Sequence, residues 1–79
     1  MEFETVLVNL TNLIQKEFGV TILDPDISLF STNYNFSTMD VLYIIYSYIE
    51  QNGKKMNVKP SMKKYSPNEI SEWLLKNER

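Results

Sequence analysis

Residues 37–49 constrain the fold more than any other stretch. The cap-forming tetrad Ser37-Thr38-Met39-Asp40 runs straight into the apolar segment Val41 to Ile49. A serine followed three residues on by a carboxylate marks a helix N-terminus, because the hydroxyl accepts from the first-turn backbone and the acid reaches back. Strand is the competing reading, since Tyr, Ile and Val favour sheets. The cap, the length and Gly53 as a stop favour a helix from Ser37 to about Asn52. Its apolar positions do not form one stripe. Met39, Leu42, Ile45, Tyr46 and Ile49 define one face, while Val41, Ile44 and Tyr48 lie off it. A helix apolar nearly all round is either central to its fold or presents a face to a partner.

The segments on either side are easier to read. Phe3, Val6, Leu7, Leu10, Leu13, Ile14 and Phe18 recur at three- and four-residue steps, which predicts a helix over residues 2–18 with Gly19 as its stop. Asp24-Pro25-Asp26 prevents a helix from continuing through its centre. Residues 20–35 therefore read as a long loop, pinned across the core by Ile22, Leu23, Ile27, Leu29 and Phe30, with a short turn near Ser28-Leu29-Phe30. Met56, Val58, Met62 and Tyr65 are the expected anchors of the next connection, and a short helix is expected from Pro60. Ser66-Pro67-Asn68-Glu69 then supplies a cap, a proline at the first helical position and an acid at the third. Ile70, Trp73 and Leu74 give the buried stripe of a last helix over 67–77. The expected architecture is all-α: a single domain, residues 1–79, of three main helices plus one short helix.

Composition narrows the chemistry. The 79 residues include no cysteine and no histidine, so disulfides, thiol nucleophiles, imidazole bases and the usual zinc ligands are absent. The chain is not expected to be an enzyme. Its net charge of −2 is unevenly spread, with −4 over residues 1–36 and +5 over residues 53–65. The lysines (Lys54, Lys55, Lys59, Lys63, Lys64) read as a solvated face. With arginine only at the C-terminus of an acidic chain, nucleic acid is not an expected partner. The acidic N-terminus lacks the unbroken apolar core of a signal peptide, and the Val41–Ile49 run is too short to span a bilayer. A cytoplasmic, monomeric protein with no membrane association is expected.

The order of these parts resembles the acyl carrier protein family. Lys16-Glu17-Phe18-Gly19-Val20 looks like the end of that family's first helix, and Asp26-Ile27-Ser28-Leu29-Phe30 like its anchoring loop segment. Ser37 stands where the family has its modified serine at the start of the second helix. Pro60, Ser66-Pro67-Asn68-Glu69 and Ile70 to Leu74 match the approach to the last helix and the helix itself. Phe36 replaces the family's aspartate, and Thr38 its leucine or methionine; aligning Thr38-Met39-Asp40 instead makes Thr38 the alternative acceptor. The resemblance implies an acyl-carrier-like four-helix bundle with a long ordered loop after the first helix.

It also implies a function. Ser37 would carry a 4′-phosphopantetheine arm, attached by a phosphopantetheinyl transferase, whose thiol holds an acyl or aminoacyl group for separate acyl- or aminoacyl-handling enzymes. The second helix has only Asp40 and Glu50 as acids, so partners are expected to meet an apolar and aromatic surface at Met39, Asp40, Tyr43 and Tyr48. In the alternative reading Ser37 and Asp40 are only a helix cap, Tyr43 and Tyr48 are partly buried tyrosines with their hydroxyls in water, and the chain is an unmodified carrier-like interaction module, a scaffold in a peptide-modification or secondary-metabolite system.

Overall fold

Apolar residues on a helical period, each run closed by a cap, give three helices in the computed structural model, which describes residues 2–53 and 59–77. These are α1 (Phe3–Phe18), α2 (Thr38–Gln51) and α3 (Pro67–Lys76), with no strand among the described residues. Gly19 ends α1 in the left-handed region at φ 69°, its N–H bonded to the Gln15 carbonyl at 2.8 Å. A side chain there would be strained, so glycine is the economical stop. Gly53 follows α2 in the same conformation, at φ 64°.

α1 packs on both other helices, more extensively on α3. It buries Val6, Leu10, Leu13 and Ile14, while α3 buries Ile70, Trp73 and Leu74, as the spacing leads one to expect. The Cα radius of gyration is 11.4 Å. Phe18 meets Tyr43 at the C-terminal end of α1, and Asn9 pairs with Tyr48 further back. The contacts run in opposite directions along the two helices, so α1 and α2 are antiparallel.

The face of α2 meets expectation in part: Ile45 and Ile49 are buried as expected, but Val41, Ile44 and Tyr48 join them while Met39 and Tyr46 stay outside. Its buried positions are Val41, Ile44, Ile45, Tyr48 and Ile49; Met39 is 75% exposed and Tyr46 50%. Two apolar stripes compete on this helix, and periodicity cannot rank them. Phe36, the residue before the cap, is buried and meets Phe18 edge-on at 5.0 Å. An apolar residue just before a cap commonly packs toward the fourth helical position, here Val41, and Phe36 and Val41 both belong to the buried core.

The long loop is held by fewer pins than its composition suggests. Leu29 is fully buried, whereas Leu23 is 88% exposed and Phe30 42%; Ile22 packs at the edge of the core. Backbone pairing explains the choice. The Leu29 N–H donates to the Tyr65 carbonyl at 3.2 Å, and the Leu29 carbonyl accepts from Phe36 N–H at 3.0 Å. Leu29 thus ties the loop to the approaches of both α2 and α3, and its side chain is carried inward. Turns lie around it, with Ser31 N–H bonded to the Ser28 carbonyl at 3.0 Å. Asn68 adds a second tie, its backbone N–H reaching the Pro25 carbonyl at 3.0 Å and its side chain donating to Asp26. No helix occurs in residues 59–66, so the short helix expected from Pro60 is not formed there. Pro60 is instead buried, and its carbonyl accepts from the Tyr65 hydroxyl at 3.4 Å. Met62 and Tyr65 pack against the core as anchors; Met56 and Val58 lie outside the described residues.

Candidate functional site

The site expected from sequence is the front of α2. Asn35 enters it with left-handed backbone, φ 58°, a conformation asparagine tolerates better than most residues. Phe36 then turns into the core and leaves Ser37 extended, φ −86° and ψ 169°, as the residue that caps the helix. Ser37 Oγ accepts from Asp40 N–H at 3.2 Å, and Asp40 Oδ2 accepts from Ser37 N–H at 3.0 Å. Each group satisfies a donor that the first turn would otherwise leave open. Ser37 and Thr38 are both exposed.

As an acceptor, the Ser37 hydroxyl still has its own proton to give. Among the described residues, the N–H groups of Thr38 and Met39 have no acceptor. Two free donors and the positive end of the helix dipole therefore lie beside an exposed hydroxyl. That donor set suits a phosphoryl oxygen, so the residues present fit a phosphodiester-linked group. Thr38 is also exposed, but as the first helical residue it is not the one that caps.

The remaining expected residues separate into two groups. Met39 and Tyr43 lie exposed on the same side of α2, with Tyr46, at three- and four-residue steps. Asp40 is half-buried and its carboxylate is committed to the cap. Tyr48 does not belong to this surface. It is 3% exposed, so it cannot contribute to a partner-facing patch on the Met39 side; burial pushes its hydroxyl to a higher pKa.

Sequence reasoning missed what braces this end of α2. Tyr43 donates to Glu17 Oε1 on α1 at 2.6 Å, and its ring stands edge-on to Phe18 at 5.9 Å. The adjacent carboxylate holds the Tyr43 hydroxyl above the ordinary tyrosine range. Phe36 was readable, since an apolar residue just before a cap is a known staple. Glu17 was not, because no local pattern pairs it with Tyr43 across 26 residues. The described residues contain no cluster of three acidic, cysteine or histidine side chains able to hold a metal. No protein-family model matches the chain, and neither a curated protein nor a solved structure matches it.

Proposed function

We propose that this chain is a divergent acyl-carrier-like domain that takes a 4′-phosphopantetheine arm on Ser37. The arm, once attached, supplies a thiol that holds an acyl or aminoacyl group as a thioester. The protein's own part is attachment and presentation. Ser37 offers the hydroxyl, the free N–H groups of Thr38 and Met39 face the charge of a phosphodiester, and Phe36 fixes the start of α2 on α1. Met39 and Tyr43 lie next to the attachment point, where a phosphopantetheinyl transferase and the acyl- or aminoacyl-handling enzymes would meet an apolar surface. The observation that carries this reading is the exposed Ser37 hydroxyl beside two unpaired first-turn donors.

A second reading rests on the exposed Met39, Tyr43 and Tyr46. An apolar stripe of this kind can bind a partner with no modification of Ser37, and the chain would then be a scaffold. Intact mass after co-expression with a broad-specificity phosphopantetheinyl transferase separates the two. A gain of about 340 Da, lost in Ser37→Ala and kept in Thr38→Val, is expected for the carrier. No gain in the unaltered chain overturns the carrier reading and leaves the scaffold. A gain lost only in Thr38→Val moves the acceptor to Thr38.

A further inference from the structure

At the other end of α2, where it runs beside the middle of α1, the two helices leave an open groove of about 340 Å³. Seams between helices are normally filled by apolar side chains, and this one is lined by carboxamides. Asn9 and Asn12 stand one turn apart within α1, and Gln51 and Asn52 close α2. Asparagine is a poor residue for a helix interior. Two on one exposed face therefore weaken α1, and departures of this kind from local preference concentrate at functional positions.

The groove has a direction. Lys16 lies in the last turn of α1 and forms no ion pair among the described residues. Because the helices are antiparallel, Gln51 and Asn52 lie toward the opposite end, at the carbonyl terminus of α2, where the helix dipole is negative. There the side-chain amide of Asn52 donates to the Tyr48 carbonyl at 2.9 Å, leaving its own oxygen as an acceptor. The side-chain amides of Asn12 and Gln51 make no hydrogen bond among the described residues, so each offers a donor and an acceptor. Leu13 and the Tyr48 ring, both buried, form an apolar floor, and the Tyr48 hydroxyl pairs with Asn9.

A cation at one end, acceptors at the other and carboxamides between complement a ligand with a carboxylate at one end and amide N–H and C=O groups behind it. We infer that this groove binds the carboxylate end of a peptide chain, the carboxylate on Lys16 and the preceding amides on Asn12 and Gln51. The groove is independent of Ser37. The 14 residues of α2 put about 20 Å between its two ends, so the proposal stands whether or not Ser37 is modified.

The test is a titration of the ¹⁵N-labelled full chain with acetyl-Ala-Asn-Ala bearing a free carboxylate, and with the same peptide as its C-terminal amide. Saturable shifts confined to residues 9–16 and 48–52, with a dissociation constant of about 1 mM, are expected for a shallow polar groove. The amidated peptide and Lys16→Gln should each weaken binding about fivefold, without further loss when combined. Asn12→Ala with Gln51→Ala should weaken both peptides alike. Lys16, Asn12 and Gln51 are exposed, so these variants are expected to fold. The proposal is overturned by shifts that do not saturate, by equal binding to Lys16→Gln, or by shifts centred on Lys59, Lys63 and Lys64 instead.

Discussion

Ser37 and Ser66 begin α2 and α3 with the same bond. Each hydroxyl accepts from the N–H three residues on at 3.2 Å, and each helix carries an acid at that third position, Asp40 and Glu69. A left-handed residue lies ahead of each, Asn35 at φ 58° two positions before Ser37 and Tyr65 at φ 55° directly before Ser66. There the likeness stops. Asp40 reaches back to the N–H of its own capping serine. Glu69 reaches further, accepting from Lys64 N–H at 2.6 Å and Tyr65 N–H at 3.1 Å. Glu69 is longer by one methylene, and the left-handed turn at Tyr65 brings two successive N–H groups within its reach. Ser66 is 2% exposed, while Ser37 faces solvent. One motif has thus been absorbed into the core and the other left open. Burial, and not the motif, separates a serine available to chemistry from one that only holds a fold together.

The acids give the sharpest way to break this comparison. Glu69→Ala leaves two backbone donors without their charged acceptor and loosens Tyr65, whose carbonyl holds Leu29. A loss of about 2–3 kcal/mol is expected in urea unfolding. Asp40→Ala opens only a solvated cap and is expected to cost about 1 kcal/mol. Equal costs would mean that the two starts are energetically the same and that the reach of Glu69 adds nothing.

The serines come next. Ser66→Ala strands the Glu69 N–H in a partly buried setting, where water replaces the hydroxyl poorly, and should cost about 1.5 kcal/mol. Ser37→Ala exposes the Asp40 N–H to solvent and should cost about half as much. If Ser37→Ala proved the more damaging in the same unfolding measurement, Ser37 would be chiefly a structural residue.

These differences also show where sequence stopped being informative. Both caps were legible, because a cap is decided within four residues, and so were α1 with its Gly19 stop and the stripe of α3. The inward face of α2 was not. Val41, Ile44 and Tyr48 are as apolar as Met39, Leu42 and Tyr46, so α2's own pattern does not rank them; the buried Phe36 just ahead of the cap, edge-on to Phe18 18 residues away in the chain, lies with Val41, Ile44 and Tyr48 in the core. Leu29 was one of five equivalent loop anchors by composition. What singles it out is a backbone bond to Tyr65, 36 positions later. At the candidate site, Ser37 and Asp40 were readable for the same local reason as any cap. The removal of Tyr48 from the exposed patch followed from the phase of α2, which is a tertiary outcome.

A third serine tests whether burial alone is the asset. Ser71, one turn into α3, is fully buried, and its hydroxyl has no hydrogen-bond partner among the described residues. It caps nothing. Ser71→Ala removes an unpaired hydroxyl and substitutes a better helix former, so a gain of about 0.5–1 kcal/mol is expected, seen as a higher midpoint in thermal unfolding. A loss instead would show that this hydroxyl is engaged in solution.

The smallest effect concerns the approach to Ser37. Asn35 has a left-handed backbone, its N–H is bonded to the Ser31 carbonyl at 2.6 Å, and its side chain makes no hydrogen bond among the described residues. Glycine keeps that backbone bond and removes the Cβ penalty, but it also frees the unfolded chain. The two effects nearly cancel, and Asn35→Gly is expected to stabilise by about 0.3 kcal/mol. Tyr65 offers no such exchange. Its ring packs on Phe30 at 5.4 Å and its hydroxyl reaches the Pro60 carbonyl, so glycine there would discard contacts along with the strain. A loss above about 1 kcal/mol for Asn35→Gly would place the Asn35 side chain among the groups that hold Ser37, making the exposed helix start as firmly built as the buried one.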